Sequence, residues 1–355
     1  MLPRRRLLFA LPALAFARPG FAVYPAVERG RALRFPRDHG AHPAYRTEWW
    51  YITGWVGDAR GRELGVQLTF FRNRPALQED NPSAFAPRQL LFAHAALAEP
   101  AHGRLRYDQR AAREGFGLAY AREGNTGLRI DDWSFDLKDG RYTARIVSRE
   151  FEMALEFVPT QPILVQGDAG FSRKAQEPGV ASYYYSRPHL AVSGSIRIGT
   201  AVDKVSGSAW LDHEWSSQVL PAAALGWDWC GINLDDGGAL MAFRMRGKSG
   251  GALWAAATLR DASGHFRRFD RGAVAFTPLS TWRSPRTGVE YPVAMRVQAG
   301  ASEFELSPLM QDQELDARAS TGTIYWEGAV RALRAGRRVG HGYLELTGYA
   351  GAWRM

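Results

Sequence analysis

The sequence predicts an all-β protein made of two tandem antiparallel domains, barrels or sandwiches, and three observations carry that prediction. Segments with an apolar residue at every second position recur from end to end. Gly, Asp and Asn turn signals separate them. No apolar stripe at helical spacing runs beyond about three turns, and many short strands without intervening helices fold as antiparallel sandwiches or barrels.

In chain order, Met1-Leu2-Pro3-Arg4-Arg5-Arg6 is followed by an apolar run, Leu7 to Ala17, and then by Arg18-Pro19-Gly20-Phe21-Ala22. This is the order of a secretory signal, so residues 1–22 are set apart from the fold. The run is too short to span roughly 30 Å of bilayer at about 1.5 Å per residue. Its arginines suit a twin-arginine leader, in which case the protein crosses the membrane folded and works in the periplasm or outside the cell. No later segment reaches the length of a membrane-spanning helix.

The predicted strands of the first half include 63–71, 90–97, 133–137, 142–147 and 151–157; those of the second include 239–245, 252–259, 291–297 and 343–346. Lys138-Asp139-Gly140, Asp235-Asp236-Gly237-Gly238 and Arg334-Ala335-Gly336 read as hairpin turns. A polar and Pro-Ala stretch near Ser216 to Ala224 divides the chain into domains 23–217 and 218–355. That suits a length of roughly two domains. The single cysteine, Cys230, lies in an apolar run and reads as a buried structural thiol.

The net charge of +9 does not indicate nucleic acid, because the arginines are spread along the chain and three fall in the opening Arg4-Arg5-Arg6. The one dense basic run after the leader, Arg331, Arg334, Arg337 and Arg338, reads as a solvated hairpin, with contact to an anionic lipid or a phosphate as the alternative.

Seven of the twelve tryptophans fall in two windows. In Thr47-Glu48-Trp49-Trp50-Tyr51, alternation puts Glu48, Trp50 and Ile52 on one face and Trp49, Tyr51, Thr53 and Trp55 on the other. In Trp210-Leu211-Asp212-His213-Glu214-Trp215 it groups Trp210, Asp212 and Glu214 against Leu211, His213 and Trp215. In Gly226-Trp227-Asp228-Trp229-Cys230, Asp228 and Cys230 face away from Trp227 and Trp229. A carboxyl group against aromatic walls is disfavoured as an anion and remains a proton donor near neutral pH, while an indole face stabilises a developing cation. The competing reading is structural: such an acid accepts an indole N–H or pairs with an arginine such as Arg46.

Gly247-Lys248-Ser249-Gly250-Gly251 matches a nucleophile-elbow pattern but joins two alternating segments, so a hairpin is favoured. Asp38, His39 and His42 have metal-ligand spacing, yet no second ligand cluster accompanies them and no metal is expected. His213, between two acids, is a general acid or base or else a core histidine. There is no phosphate loop or dinucleotide fingerprint, and no cofactor is expected.

The segments 35–51 (FPRDHGAHPAYRTEWWY), 182–188 (SYYYSRP), 207–217 (GSAWLDHEWSS) and 226–229 (GWDW) together resemble the carotenoid 1,2-hydratase and AttH family of lipocalin-like proteins. The resemblance implies two lipocalin-like β domains in tandem with a cavity between or within them. Its members include hydratases, cyclisation catalysts and exported proteins encoded beside ABC-type permeases. The resemblance matches His213 and Trp215, beside Asp212 and Glu214, with Asp228 as a further position; with Glu48 from the strand pattern these are the candidates for chemistry, and Trp50, Tyr51, Trp210, Trp215, Trp227, Trp229 and Tyr184 are the candidate ligand wall. The export leader and the fuller DHEWSS and GWDW pattern favour the AttH side and make a carotenoid substrate doubtful. Two functions follow: an enzyme, hydratase-like or hydrolase-like, acting on an apolar lipid, isoprenoid or polyketide-like ligand, or a non-catalytic periplasmic binding protein serving an ABC-type permease.

Overall fold

A computed structural model describes residues 24–351 except 76, 78, 79, 178 and 219; the leader-like segment lies outside the described residues. Apart from two three-residue 3-10 turns, Arg37–His39 and Arg271–Ala273, the regular structure among these residues is entirely β. It forms a 13-stranded and a 10-stranded antiparallel sheet. The first sheet takes its strands from 47–216 and the second from 224–346, so the chain changes sheet between Ser216 and Ala224. The first sheet curls until the Leu90–Ala98 and Arg106–Arg113 strands meet the short strands at 119–130, nearly closing a barrel.

The hairpins follow their turn chemistry. Asp139 and Gly140 both have positive φ (51° and 75°), as do Ala335 and Gly336 (49° and 74°), which matches the right-handed twist of the strands they join. Gly247-Lys248-Ser249-Gly250-Gly251 is a hairpin turn closed by Gly250 N–H donating to the Gly247 carbonyl at 2.9 Å. Of the basic run, Arg331 pairs with Glu63 at 2.6 Å and lies over the Trp55 ring.

At the centre of the first sheet, the TEWWY strand Thr47–Asp58 lies between Glu63–Asn73 and the DHEW strand Ala201–Ser216. Trp215 stands opposite Glu48, and Asp212 opposite Tyr51. Over 47–56 and 209–216 the TEWWY and DHEW strands depart from the half-buried pattern that alternation predicts, because both of their faces are covered. One face, with Trp50, Ile52, Leu211 and Trp215, packs into the first barrel. The other, with Tyr51, Trp55 and Trp210, packs against Trp229, Met241, Phe243 and Tyr343 of the second sheet. The second sheet has its own core around Cys230, Ile232, Met295, Trp326 and Leu344, where burial pushes the Cys230 thiol up to about 12.

Polar bonds lock the two sheets together. The Trp55 indole donates to the Gly342 carbonyl (2.9 Å), and Asn233 Nδ2 donates to the Ala209 carbonyl (3.1 Å). Gly207, opposite Val56, is required by proximity: a Cβ there would collide with the Trp55 carbonyl oxygen. Gly207→Ala is therefore expected to destabilise the protein by about 1–3 kcal/mol, as overpacking does, read as a lowered urea midpoint; an unchanged midpoint would show that the strands can separate freely.

Candidate active site

Because Asp212 and Glu214 are two residues apart on one strand, both face the second sheet. There they meet Glu327, from the Thr323–Arg334 strand, and Glu345, from Arg337–Leu346. The four carboxyl groups line a cavity of about 870 Å³, its open mouth included. Trp49, Tyr51, Phe71 and Tyr184 form its wall on the first sheet, and Trp227, Trp229, Phe243 and Tyr325 on the second.

Asp212 accepts hydrogen bonds from Tyr184 (2.5 Å), Ser186 (2.5 Å) and the Trp210 indole (2.7 Å). Trp229 in turn donates to the Tyr184 oxygen at 3.1 Å. Burial outweighs these three donors and lifts the Asp212 carboxyl to about 7. Glu327 stands directly across from Glu345 and accepts a hydrogen bond from the Tyr51 hydroxyl. Burial, then the neighbouring Glu345, hold Glu327 well above the carboxylate range. Glu345 is lifted to about 8 by burial, eased by the Trp227 indole and reinforced by Asp212 and Glu214. Glu214 differs from the other three: Lys174 Nζ lies 2.7 Å from it and 4.8 Å from the centre of the Trp49 ring.

Glu48 and His213 lie on the opposite face, inside the first barrel, so the sheet separates them from Asp212 and Glu214. Glu48 Oε1 meets His42 Nδ1 (2.7 Å) and His213 Nε2 (2.9 Å); Oε2 accepts from Arg72 Nε (2.8 Å) and from the His42 backbone N–H (2.8 Å). Burial opposes ionisation of Glu48, but His42 and Arg72 overcome it and hold the group well below the carboxylate range. Burial likewise opposes charge on His42, and Glu48 with Asp38 on its two ring nitrogens raises its pKa. His213, lowered by burial, donates to Glu48 and accepts from Tyr185, whose hydroxyl lies 3.2 Å from Nδ1. Trp215 stacks on His42 (3.8 Å between centres) and Trp50 on His213 (4.5 Å).

His42, Glu48 and His213 bring three potential metal ligands within 4.8 Å of one another, a set the spacing of Asp38, His39 and His42 does not reveal. His39 turns away to Tyr185 (2.8 Å). Arg72 and the imidazole protons neutralise Glu48 where a metal would otherwise do so, and the cluster reads as a buried ion-pair network.

The sequence-derived candidates thus fall into three places. Asp212, Glu214, Tyr51, Tyr184, Trp227 and Trp229 reach the cavity, with Trp210 bonded behind Asp212. Glu48, His213, Trp50 and Trp215 form the barrel network. Asp228 is clamped within the second sheet by Arg244 (2.9 Å), Arg246 (3.0 Å) and Tyr349 (2.9 Å). Sequence reasoning missed Glu327, Glu345, Lys174 and Tyr325. The signal for Glu327 was available: Tyr325-Trp326-Glu327 places an acid beside a tryptophan inside an apolar strand, as TEWWY and DHEW do.

An AttH-like family model matches residues 26–349. The chain belongs to the AttH-like family. A crystal structure of an AttH from Nitrosomonas europaea is 53% identical to this AttH-like protein, covering 92% of the chain and 100% of its own, with a TM-score of 0.86. Kievitone hydratase from Nectria haematococca shares the fold at 12% identity (TM-score 0.70, covering 93% and 97%). CghA does so at 14% (TM-score 0.57, covering 93% and 97%). No curated protein matches the chain significantly.

Two predictions follow from the opposite electrostatics of the two faces. Arg72→Met leaves buried Glu48 without its one permanent cation and with His42 as its remaining charged partner, and is expected to lower stability by about 3–5 kcal/mol in urea titrations; a loss below about 1 kcal/mol would show the pair to be dispensable. Asp212 and Glu345 keep protons up to about 7 and about 8 in the folded chain, whereas an unfolded carboxyl releases them near about 4. Their contribution to stability is complete below about pH 4 and is lost as pH rises through about 8. His39 and His94, each lowered to about 3 by burial, act in the opposite sense. Asp212→Asn/Glu345→Gln should leave those histidine contributions in place, so its urea midpoint relative to wild type should climb between about pH 5 and about pH 8. A constant difference would mean that these carboxyls are ionised throughout.

Proposed function

We propose that the cavity between the sheets binds an apolar small molecule and acts on it by acid chemistry of the hydratase or hydrolase type. One observation carries this reading. Asp212, Glu327 and Glu345 have no basic partner within ion-pair distance among the described residues, while Glu48, Asp228 and Glu314 are each paired with an arginine. Acids so deeply buried are normally paired. Three left to hold protons against aromatic walls are what proton donation to an apolar substrate requires.

In the hydration reading, a protonated carboxyl gives its proton to a substrate double bond, the π pair forming the new C–H bond and leaving a carbocation. The indoles of Trp227 and Trp229, which line the cavity, stabilise that cation. Water adds to it and its surplus proton returns to the carboxylate. Asp212 suits the donor role because Tyr184, Ser186 and Trp210 already point at the anion that proton transfer creates. That a hydratase shares the architecture supports the reading without specifying the substrate. The leader-like residues 1–22 support assigning the activity to an exported protein.

The test begins with extraction of purified protein and mass spectrometry of the bound apolar fraction, before and after incubation with added fraction. Asp212→Asn is expected to reduce turnover of the recovered species by about 10²–10⁴-fold while changing its affinity little. Recovery of one species that the wild-type protein leaves chemically unchanged would replace catalysis with carriage.

A further inference from the structure

On the second sheet, the cavity wall carries a hydrogen-bond chain that none of the acids uses. Tyr325 lines the cavity, and its hydroxyl lies 2.7 Å from His94 Nδ1. His94 Nε2 lies 2.9 Å from Ser320 Oγ. The far end fixes the direction of the protons. Gln109 gives an amide N–H to the Asp316 carbonyl (2.9 Å), so its Oε1 is an acceptor and takes the single Ser320 hydroxyl proton (2.6 Å). The Ser320 oxygen must then accept from His94 Nε2–H, which leaves Nδ1 to accept from Tyr325. Burial agrees with a neutral ring, holding His94 down to about 3.

Tyr325 has therefore committed its only proton to His94, and its oxygen can offer nothing but lone pairs. Tyr51, Tyr184 and Trp229 likewise spend their protons, on Glu327, Asp212 and the Tyr184 oxygen respectively. A ligand ether or carbonyl oxygen set against Tyr325 would face lone pair with lone pair, and a desolvated acceptor left unmatched is penalised. A hydroxyl or amine would be satisfied.

We propose that Tyr325, with its proton held by His94, is an acceptor site for a hydrogen-bond donor on the ligand, so that the ligand is an apolar molecule carrying a hydroxyl or amino group. This rests on the reading of the cavity as the ligand site and adds the ligand's polar group to it.

Calorimetric titration of the full-length protein with para-tert-butylphenol and with its methyl ether separates the two readings. The phenol is expected to bind about five- to tenfold more tightly, the value of one hydrogen bond. In Tyr325→Phe that ratio should fall to about one. Equal binding of phenol and ether to the wild type would overturn the proposal and leave the cavity reading standing; binding of neither would remove both. A preference that survives in Tyr325→Phe would move the acceptor to one of the carboxyls and overturn the role of Tyr325. Should that variant fold poorly, long-range proton–nitrogen correlation on the ¹⁵N-labelled wild-type protein gives the His94 tautomer directly. A proton on Nε2 supports the chain as drawn, and a proton on Nδ1 reverses it and overturns the proposal.

Discussion

Burial of both faces of two neighbouring strand segments, 47–56 and 209–216, is the constraint from which the rest of the molecule follows. An antiparallel sheet that is wet on one side needs apolar residues only at alternate positions. Here the second sheet covers the face that water would otherwise occupy, so every position along these strands must suit an interior. Tryptophan, tyrosine, histidine and acids fill them, with the Glu48 and Asp212 carboxyls and the His213 ring each hydrogen-bonded. The density of TEWWY and DHEW in large residues is the sequence-level trace of a strand with no solvent side.

The two faces satisfy the same requirement by opposite electrostatics. Inside the first barrel, Glu48 is ionised and surrounded by His42, His213 and Arg72, a closed arrangement with no room for change. Towards the second sheet, Asp212, Glu327 and Glu345 meet hydroxyls, indoles and each other, and burial pushes them towards the protonated form. A buried anion held by cations fixes geometry, while a buried acid held by neutral donors keeps a proton available. The residue order Asp212-His213-Glu214 spans both regimes within three positions, because strand alternation sends the middle residue to the other side.

The all-β class, the two-part organisation and the pairing of faces were legible because they rest on period-two patterning, a local property. Grouping Glu48 and His213 with Asp212 and Glu214 was not safe for the same reason: alternation assigned them to faces, but which face met which required the register that sets Trp215 opposite Glu48. Asp228 looked equivalent to Asp212 by its tryptophan neighbours, yet its partners Arg244 and Arg246 come from the adjacent strand. Glu327 and Glu345 lie more than 110 residues beyond DHEW and reach it only because the second sheet packs on the first. Such contacts have no local signature.

The barrel network also bears on the cavity through geometry. His213 is held at both ring nitrogens and stacked on Trp50, so its place on the strand is fixed to within the tolerance of two hydrogen bonds. Asp212 and Glu214 are its covalent neighbours and inherit that placement. Positioning of a reacting group to a fraction of an ångström requires support from behind. In this chain that support is electrostatic, strongest when Glu48 is ionised, and it lies on the face turned away from the cavity.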